Sequence, residues 1–386
     1  MEICLREECT GCGMCLNTCT YGAITMQEKE HGFYYPVIDE SKCQNCGLCK
    51  MKCPNNNRIN GNKIRTVYAA WNMNKAIRKR STSGGVFSLI AERIIQSDGY
   101  VAGVVLSDKL EAEHYITNQI NEIELFNGSK YVQSRCGVIY KKIKGLLQEG
   151  KKVLFSGTPC QNAALKSYLG ADYDSLYLID VVCHGVPSQK ILRRYIDEIT
   201  PNNCIAKSIK FRHKVPNWNY CNITTEFDDG SCFSVPTVDD SYFTLFNIGY
   251  SLRESCHSCH YTSTNRQGDI SLADFWGYLP QTFKMRDFNK GCSCILINSH
   301  KGEELFYLIR DEIVYEERSV EDAKRANKSL SDSYRIDENE LVAFWIDYDN
   351  EMGINQLRNK YVLHPFKKPK YLWLRNLKHR FNWLIK

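Results

Sequence analysis

The sequence predicts an α+β fold class: a small cysteine-bound module at the N-terminus, followed by a larger mixed α/β domain. Three observations carry this expectation. Nine of the 19 cysteines lie within the first 53 of 386 residues; the middle of the chain alternates apolar strand-like runs with helical segments; and the composition is that of a packed protein, 43% hydrophobic and 24% charged with a formal charge of +6. A length of this order holds two or three domains of roughly 100–200 residues, which excludes global disorder. The expected divisions are 1–62, 63–150, 151–330 and 331–386, the second and third forming one domain. No run approaches the ~20 apolar residues of a membrane-spanning helix. The opening MEICLREECTGCG has neither a basic nor an apolar leader region, so the expected location is cytoplasmic. In that reducing setting the cysteines are expected as metal ligands or redox groups, not disulfides. No nucleic-acid partner is expected.

Eight cysteines form two runs, Cys9-x2-Cys12-x2-Cys15-x3-Cys19 and Cys43-x2-Cys46-x2-Cys49-x3-Cys53-Pro54, the second displaced from the first by 34 residues. In such a run three thiolates sit on one tight loop around a cubane, and the fourth reaches the other cluster. Cluster one is therefore expected on Cys9, Cys12, Cys15 and Cys53, and cluster two on Cys43, Cys46, Cys49 and Cys19. Zinc, which also favours paired C-x2-C units, is the competing reading. Residues 1–57 resemble the two-cluster bacterial ferredoxin module. Thr20 stands where proline usually follows the fourth cysteine, a change that removes rigidity from the turn and leaves the ligands intact. Cys4 lies outside the pattern and reads as an incidental thiol. Residues 23–26 and 32–39 read as paired short strands, and the polar run 55–62 reads as a linker.

In the main body, Ser81-Thr82-Ser83-Gly84-Gly85 precedes an apolar helix from Val86. Such a turn offers backbone N–H groups to a phosphate; a plain N-cap with a flexible turn is the alternative. Gly128-Ser129-Lys130-Tyr131 places a cation and a ring beside small residues, which suits a flavin or a solvated loop alike. Residues 152–157 and 176–182 read as parallel strands joined by one helix. That puts Cys160 and Cys183 just past the strand ends, at the edge where open α/β sheets bind ligands. Cys256-x2-Cys259 alone is ambiguous between zinc, a dithiol and half of an iron–sulfur site; Cys160 and Cys183 are the candidates to complete it. Phe211-Arg212-His213-Lys214 reads as an exposed basic loop with an anionic substrate as the other reading. Asp269 and Asp274 read as substrate contacts or turn caps, and His184 as a proton donor or a hydrogen bond to a cluster. Cys136, Cys204, Cys221, Cys232, Cys292 and Cys294 stay unassigned, with Cys292 and Cys294 expected to be buried in a strand.

Taken in order, Ser83-Gly84-Gly85, Gly128-Ser129-Lys130-Tyr131, Gly157-Thr158-Pro159-Cys160-Gln161, Val182-Cys183-His184-Gly185, Cys256-x2-Cys259 and Ala273-Asp274-Phe275-Trp276-Gly277 resemble the coenzyme F420 hydrogenase/dehydrogenase beta-subunit family over roughly residues 65–325. The resemblance implies an N-terminal 2x4Fe-4S ferredoxin-like domain followed by a flavin-binding domain of that type. It implies a third 4Fe-4S cluster on Cys160, Cys183, Cys256 and Cys259, and FAD beside Ser83, Gly84, Gly85, Ser129 and Lys130. His184 and Asp274 become the catalytic candidates. The implied function is an iron–sulfur flavoprotein oxidoreductase between a ferredoxin-type partner and an organic two-electron substrate, either F420 or another such as a surface-polysaccharide precursor. The alternatives are an electron-relay subunit of a larger hydrogenase or dehydrogenase complex and a zinc-stapled interaction protein. The basic, aromatic residues 371–386 have helical spacing, which suits a peripheral contact with the inner face of the membrane or packing on protein.

Overall fold

A computed structural model describes residues 2–362. The N-terminal module contains α1 (Met14–Thr18), the hairpin β1 (Ile24–Glu28) and β2 (Tyr34–Ile38), and α2 (Leu48–Met51). The chain then runs through β3 (Asn62–Lys63), β4 (Thr66–Asn72), α3 (Lys75–Arg80), α4 (Val86–Gln96), the hairpin β5 (Tyr100–Leu106) and β6 (Ala112–Thr117), and α5 (Ile139–Gln148). Next come β7 (Val153–Gly157), α6 (Pro159–Leu169), β8 (Leu176–Val181), α7 (Gln189–Ile199), β9 (Ala206–His213), β10 (Asn222–Phe227) and β11 (Cys232–Pro236). The remainder is α8 (Ser241–Ile248), α9 (Glu254–His257), β12 (Asn265–Arg266), β13 (Ile270–Asp274), β14 (Ser293–Ile297), α10 (His300–Tyr307), β15 (Ile313–Arg318), α11 (Val320–Ala326), α12 (Glu338–Asp349) and α13 (Ile354–Tyr361). The basic tail expected to contact a membrane lies outside the described residues. Among those described, no helix is long and apolar enough to cross a membrane.

An eight-stranded mixed sheet in the order β15-β4-β14-β13-β8-β7-β5-β6 organises the main body. Its centre, β5, β7, β8 and β13, is parallel, and the flanking strands are antiparallel. The apolar runs explain the centre: Val153, Leu154 and Phe155 are fully buried, Leu154 against the α4 face and its two neighbours against the α5–α6 face. Strands covered on both faces need such continuous runs. Pro159 at the first turn of α6, Gln161 Oε1 accepting from Thr158 N at 2.9 Å, and Gly170 at its end account for the boundaries of the crossover helix. A second, three-stranded sheet, β11-β10-β9, packs with α7, α8, α12 and α13 around a core that Phe33 and Tyr35 of the module also enter.

The module does not hang on a linker. Ile3, Met14, Ile24 and Cys53 share one apolar core with Ile139, Tyr140, Phe155 and Leu165. Asn55, Asn56 and Asn57, in the run expected to be a linker, donate side-chain hydrogen bonds to the carbonyls of Glu8, Ile3 and Met51 and tie the ends of the module together. Short polar side chains that reach nearby backbone carbonyls have the composition of a loop and the effect of a clasp.

Two buried contacts set the geometry around the later site. Asp180, at the end of β8, accepts from Arg266 Nη2 and from the amides of Gln267 and Gly268, all at 2.8 Å, and both members of the ion pair are almost wholly buried. Gly84 packs so closely on β4 and β14 that a Cβ there would lie 2.4 Å from the Ala70 carbonyl oxygen. Replacing Asp180 with Ala strands the guanidinium and is expected to lower stability by about 3–5 kcal/mol, read as a fall in the urea midpoint; a change below 1 kcal/mol would contradict this account. Gly84→Ala is expected to cost well above the ~1 kcal/mol of Gly128→Ala, whose position is open and strained only by a φ of +80°, in the same urea experiment.

Candidate functional site

The module's eight cysteines and the four of the main body gather into three groups. Cys19, Cys43, Cys46 and Cys49 line one cavity of about 20 Å³. Cys9, Cys12, Cys15 and Cys53 form a second group. Burial pushes the Cys15 thiol up to about 12, and the Cys9 and Cys53 thiols close by add to the effect. Cys4, which reads as incidental in the sequence, belongs with this group. Its thiol contacts Cys53 and Cys9, holding Cys9 down to about 6 and Cys53 to about 7 while its own is pushed far up.

Cys160, Cys183, Cys256 and Cys259 line a third cavity, of about 40 Å³, together with Thr10 and Gly11 of the module. Cys160 sits at the second position of α6 and Cys183 two residues past the end of β8, as neighbouring parallel strands require. Cys256 lies in α9 and Cys259 just beyond it. Burial pushes Cys160 up to about 11 and Cys256 to about 12. A thiol so disfavoured as an anion becomes a thiolate only when bonded to a cation, as the iron ions of a cluster would provide, although the thiolate-ligated cluster as a whole is anionic. Among the described residues no group of three or more His, Cys, Asp or Glu side chains is arranged to hold a single metal ion. Two of the three cysteine groups ring small cavities, an arrangement suited to a polynuclear cluster.

Between the first and third groups lies Arg253, fully buried. Its Nε donates to the Cys9 carbonyl at 2.6 Å and its guanidinium stacks on Tyr35 at 4.0 Å, but Nη2 has no hydrogen-bond partner. It forms no ion pair among the described residues. A buried guanidinium without a carboxylate is costly, and anionic clusters on both sides fit that demand. Tyr261 fills the same gap: burial pushes its hydroxyl far up, and Cys160, Cys12, Cys259 and Cys53 all lie near enough to add to it.

A cavity of about 1010 Å³ opens on the other side of the third cysteine group, at the upper end of the range for ligand sites. Ser83, Gly85, Ser129 and Lys130 line it. Gly84 does not: its amide donates to Ser293 Oγ at 2.9 Å, so it serves the packing of the turn and corrects the expected flavin contact. Ser83 Oγ likewise donates inward, to the Cys292 carbonyl. Burial pushes Lys130 down to about 7, although its Nζ donates to the Leu125 and Asn127 carbonyls, each at 3.0 Å.

His184 faces both the large cavity and the third cysteine cavity. It packs against Phe246 and Tyr334, and burial lowers its pKa, which favours the neutral ring. Asp274 also lines the large cavity, but Trp218 Nε1 donates to one of its oxygens at 2.7 Å and Arg212 pairs with the other. The geometry makes it an anchor for Arg212, where the sequence suggested a substrate contact or a turn cap and the resemblance a catalytic candidate. Asp269 is at the opposite end of β13, accepting from Leu178 N and Ser299 Oγ, and is structural.

The exposed basic loop expected at 211–214 is instead the buried end of β9. Arg212 lines the large cavity, and Lys214 Nζ donates to the carbonyls of Arg78, Ser83 and Lys290, bracing the Gly-Gly turn. His213 bonds Thr224 and does not reach the cavity. Cys221 lines it, whereas Cys292 and Cys294 are buried by β14 as expected. Arg253 and Tyr261 carry no local motif and go unread in the sequence, whereas Arg212 and Lys214 stand in the basic run whose second reading is an anionic substrate.

Residues 150–323 match the family described as the C-terminal part of the coenzyme F420 hydrogenase/dehydrogenase beta subunit, and residues 8–57 match the 4Fe-4S dicluster domain. No curated protein matches the chain. Among solved structures, one titled as a xenon derivative of the F420-reducing [NiFe] hydrogenase complex from Methanosarcina barkeri aligns over 75% of this chain and 91% of that chain. Its identity is 17% and its TM-score 0.47, a likeness too low to carry an argument. From these two matches, the chain is an iron–sulfur electron-transfer protein in which a 4Fe-4S dicluster module is joined to a region, residues 150–323, related to the C-terminal part of the coenzyme F420 hydrogenase/dehydrogenase beta subunit.

Proposed function

We propose that this chain is an iron–sulfur flavoprotein oxidoreductase that passes electrons between a one-electron redox partner protein and an organic two-electron substrate. In this reading Cys9, Cys12, Cys15 and Cys53 hold one cluster, Cys19, Cys43, Cys46 and Cys49 a second, and Cys160, Cys183, Cys256 and Cys259 a third. FAD occupies the large cavity beside Ser83, Gly85, Ser129 and Lys130. The observation that supports it is continuity: the third cysteine cavity shares Thr10 and Gly11 with the module on one side, and Cys183, His184 and Gly185 with the large cavity on the other.

When bound, FAD supplies the conversion between one-electron and two-electron chemistry. The chain's own residues set the conditions for it. Arg253 places a positive charge between the first and third cysteine groups, which favours the more negative, reduced state of either cluster. Tyr261 keeps water from the gap, and His184 closes the wall between the third group and the large cavity as a neutral, packed ring.

Anaerobic purification with iron, sulfide and flavin measured against protein tests the assignment. Three cubanes require about twelve iron and twelve sulfide per chain, with one FAD; Cys183→Ser is expected to remove about four iron and leave the module's spectrum intact. About eight iron without flavin would confine the chemistry to the module. F420 is the first acceptor to assay, followed by oxidised glycan precursors. A loaded chain that reduces neither and transfers electrons only to a partner subunit would favour the relay reading. Arg253→Met is expected to lower the midpoint potential of at least one cluster in an EPR-monitored titration; unchanged potentials would show that its charge is neutralised elsewhere.

A further inference from the structure

We propose that Arg212, with Tyr131 and Cys221 beside it, forms an oxyanion-binding subsite in the wall of the large cavity, taking a carboxylate or phosphate group of the bound molecule. The inference rests on the reading of that cavity as the cofactor and substrate site, and it adds the chemical class of the group held there.

Arg212 is 8% exposed, yet it lines the cavity, and its Nη2 has no hydrogen-bond partner. The rest of the guanidinium is fixed. Nη1 pairs with Asp274, whose second oxygen is held by Trp218, and the guanidinium lies 4.6 Å from the Trp276 ring centre, which in turn stacks on Trp218 at 5.1 Å and 3°. One face and one edge of the planar group are thereby taken, and one nitrogen is left over. Burial works against the charge and Asp274 restores it, so Arg212 stays cationic, while burial raises the Tyr131 pKa and keeps the phenol protonated.

The neighbours complete a polar recess. The Tyr131 ring is held by Phe211, Phe243 and Phe246, and the Cys221 thiol lies 3.7 Å from Thr237 Oγ1; all of these side chains except Phe211 line the same cavity. A guanidinium edge beside a phenol and a thiol presents several proton donors to one place. Guanidinium N–H groups match carboxylate and phosphate oxygens in geometry and charge. Because Asp274 and Trp276 have already fixed the group, little ordering is needed on binding. An apolar ligand placed there would leave the donors of Nη2 buried and unpaired.

The test uses the full chain purified anaerobically, compared with Arg212→Lys and Tyr131→Phe. Inorganic phosphate and acetate are titrated calorimetrically, and bound FAD and iron are measured in the same samples. A lysine that stays with Asp274 has no rigid second edge to offer. The expected result is therefore at least a tenfold loss of anion affinity or of retained FAD in Arg212→Lys, and a several-fold loss in Tyr131→Phe, with iron content unchanged. Loss of FAD would assign the oxyanion to the cofactor; retained FAD with lost phosphate or acetate binding would assign it to the substrate. Arg212-dependent anion binding in a wild-type chain without flavin would sustain the subsite while sinking the flavoprotein reading. If Arg212→Lys fails to fold, Tyr131→Phe decides alone. Wild-type anion affinity and FAD content in the folded variants, or no binding of either kind in the wild type, overturns the proposal.

Discussion

Arg253 is the contact on which the arrangement of the two parts turns. It enters from the start of α9, beside Cys256, and its Nε reaches the Cys9 carbonyl of the module. A guanidinium this deeply buried is tolerated only where its charge is answered, and the nearest anionic candidates are the two cysteine groups it separates. The same side chain packs on Tyr35 and Phe33 of the module. Gly11 is fitted against it: at φ +66°, a Cβ there would lie 3.1 Å from Arg253 Nη1 and 2.4 Å from Gln133 Nε2. Docking of the module, the path between cysteine groups and the electrostatics of that path are therefore one feature of the structure.

The sheet supplies the second constraint. Parallel strands β7 and β8 end side by side, so the loops after them emerge at one edge, where open α/β sheets place ligands. Cys160 and Cys183 take that edge on the side facing the module, while Asp274, at the end of β13, takes it on the side facing the large cavity. Arg212 of β9 and Cys221, just before β10, add to the wall of the cavity. A cavity walled by three strand ends on one side and a separate sheet on the other can hold a large flat ligand without opening the core.

Features with a local signature were legible from the sequence. The doubled cysteine runs, the β7–α6–β8 unit and the Gly-Gly turn before α4 each depend on residues within a few positions of one another, and spacing alone reports them. What was missed depends on distance along the chain. Arg212 finds Asp274 62 positions away and Arg253 finds Cys9 244 positions away, so a short basic run reads as a surface loop or an anion contact alike and a lone arginine gives no signal. Cys4 breaks the repeat and so reads as incidental, though the Asn56 side chain holds the adjacent Ile3 carbonyl. Gly84 shows the converse: its motif was visible, but its amide turns toward β14 and away from the cavity.

Tyr261 joins the buried ion pair in the sheet to the gap between cysteine groups. Arg266, fixed by Asp180, donates to the Tyr261 and Ser263 carbonyls and so ties this loop to the end of β8. The ring lines the third cysteine cavity, close to Cys12 and Cys160, and takes up volume there that would otherwise be open to water. Excluding water lowers the local dielectric, which strengthens every charge interaction across the gap, that of Arg253 foremost. A salt bridge at the edge of the main sheet thus governs, through one loop and one aromatic ring, how strongly a single arginine acts on the cysteine groups at either side of it.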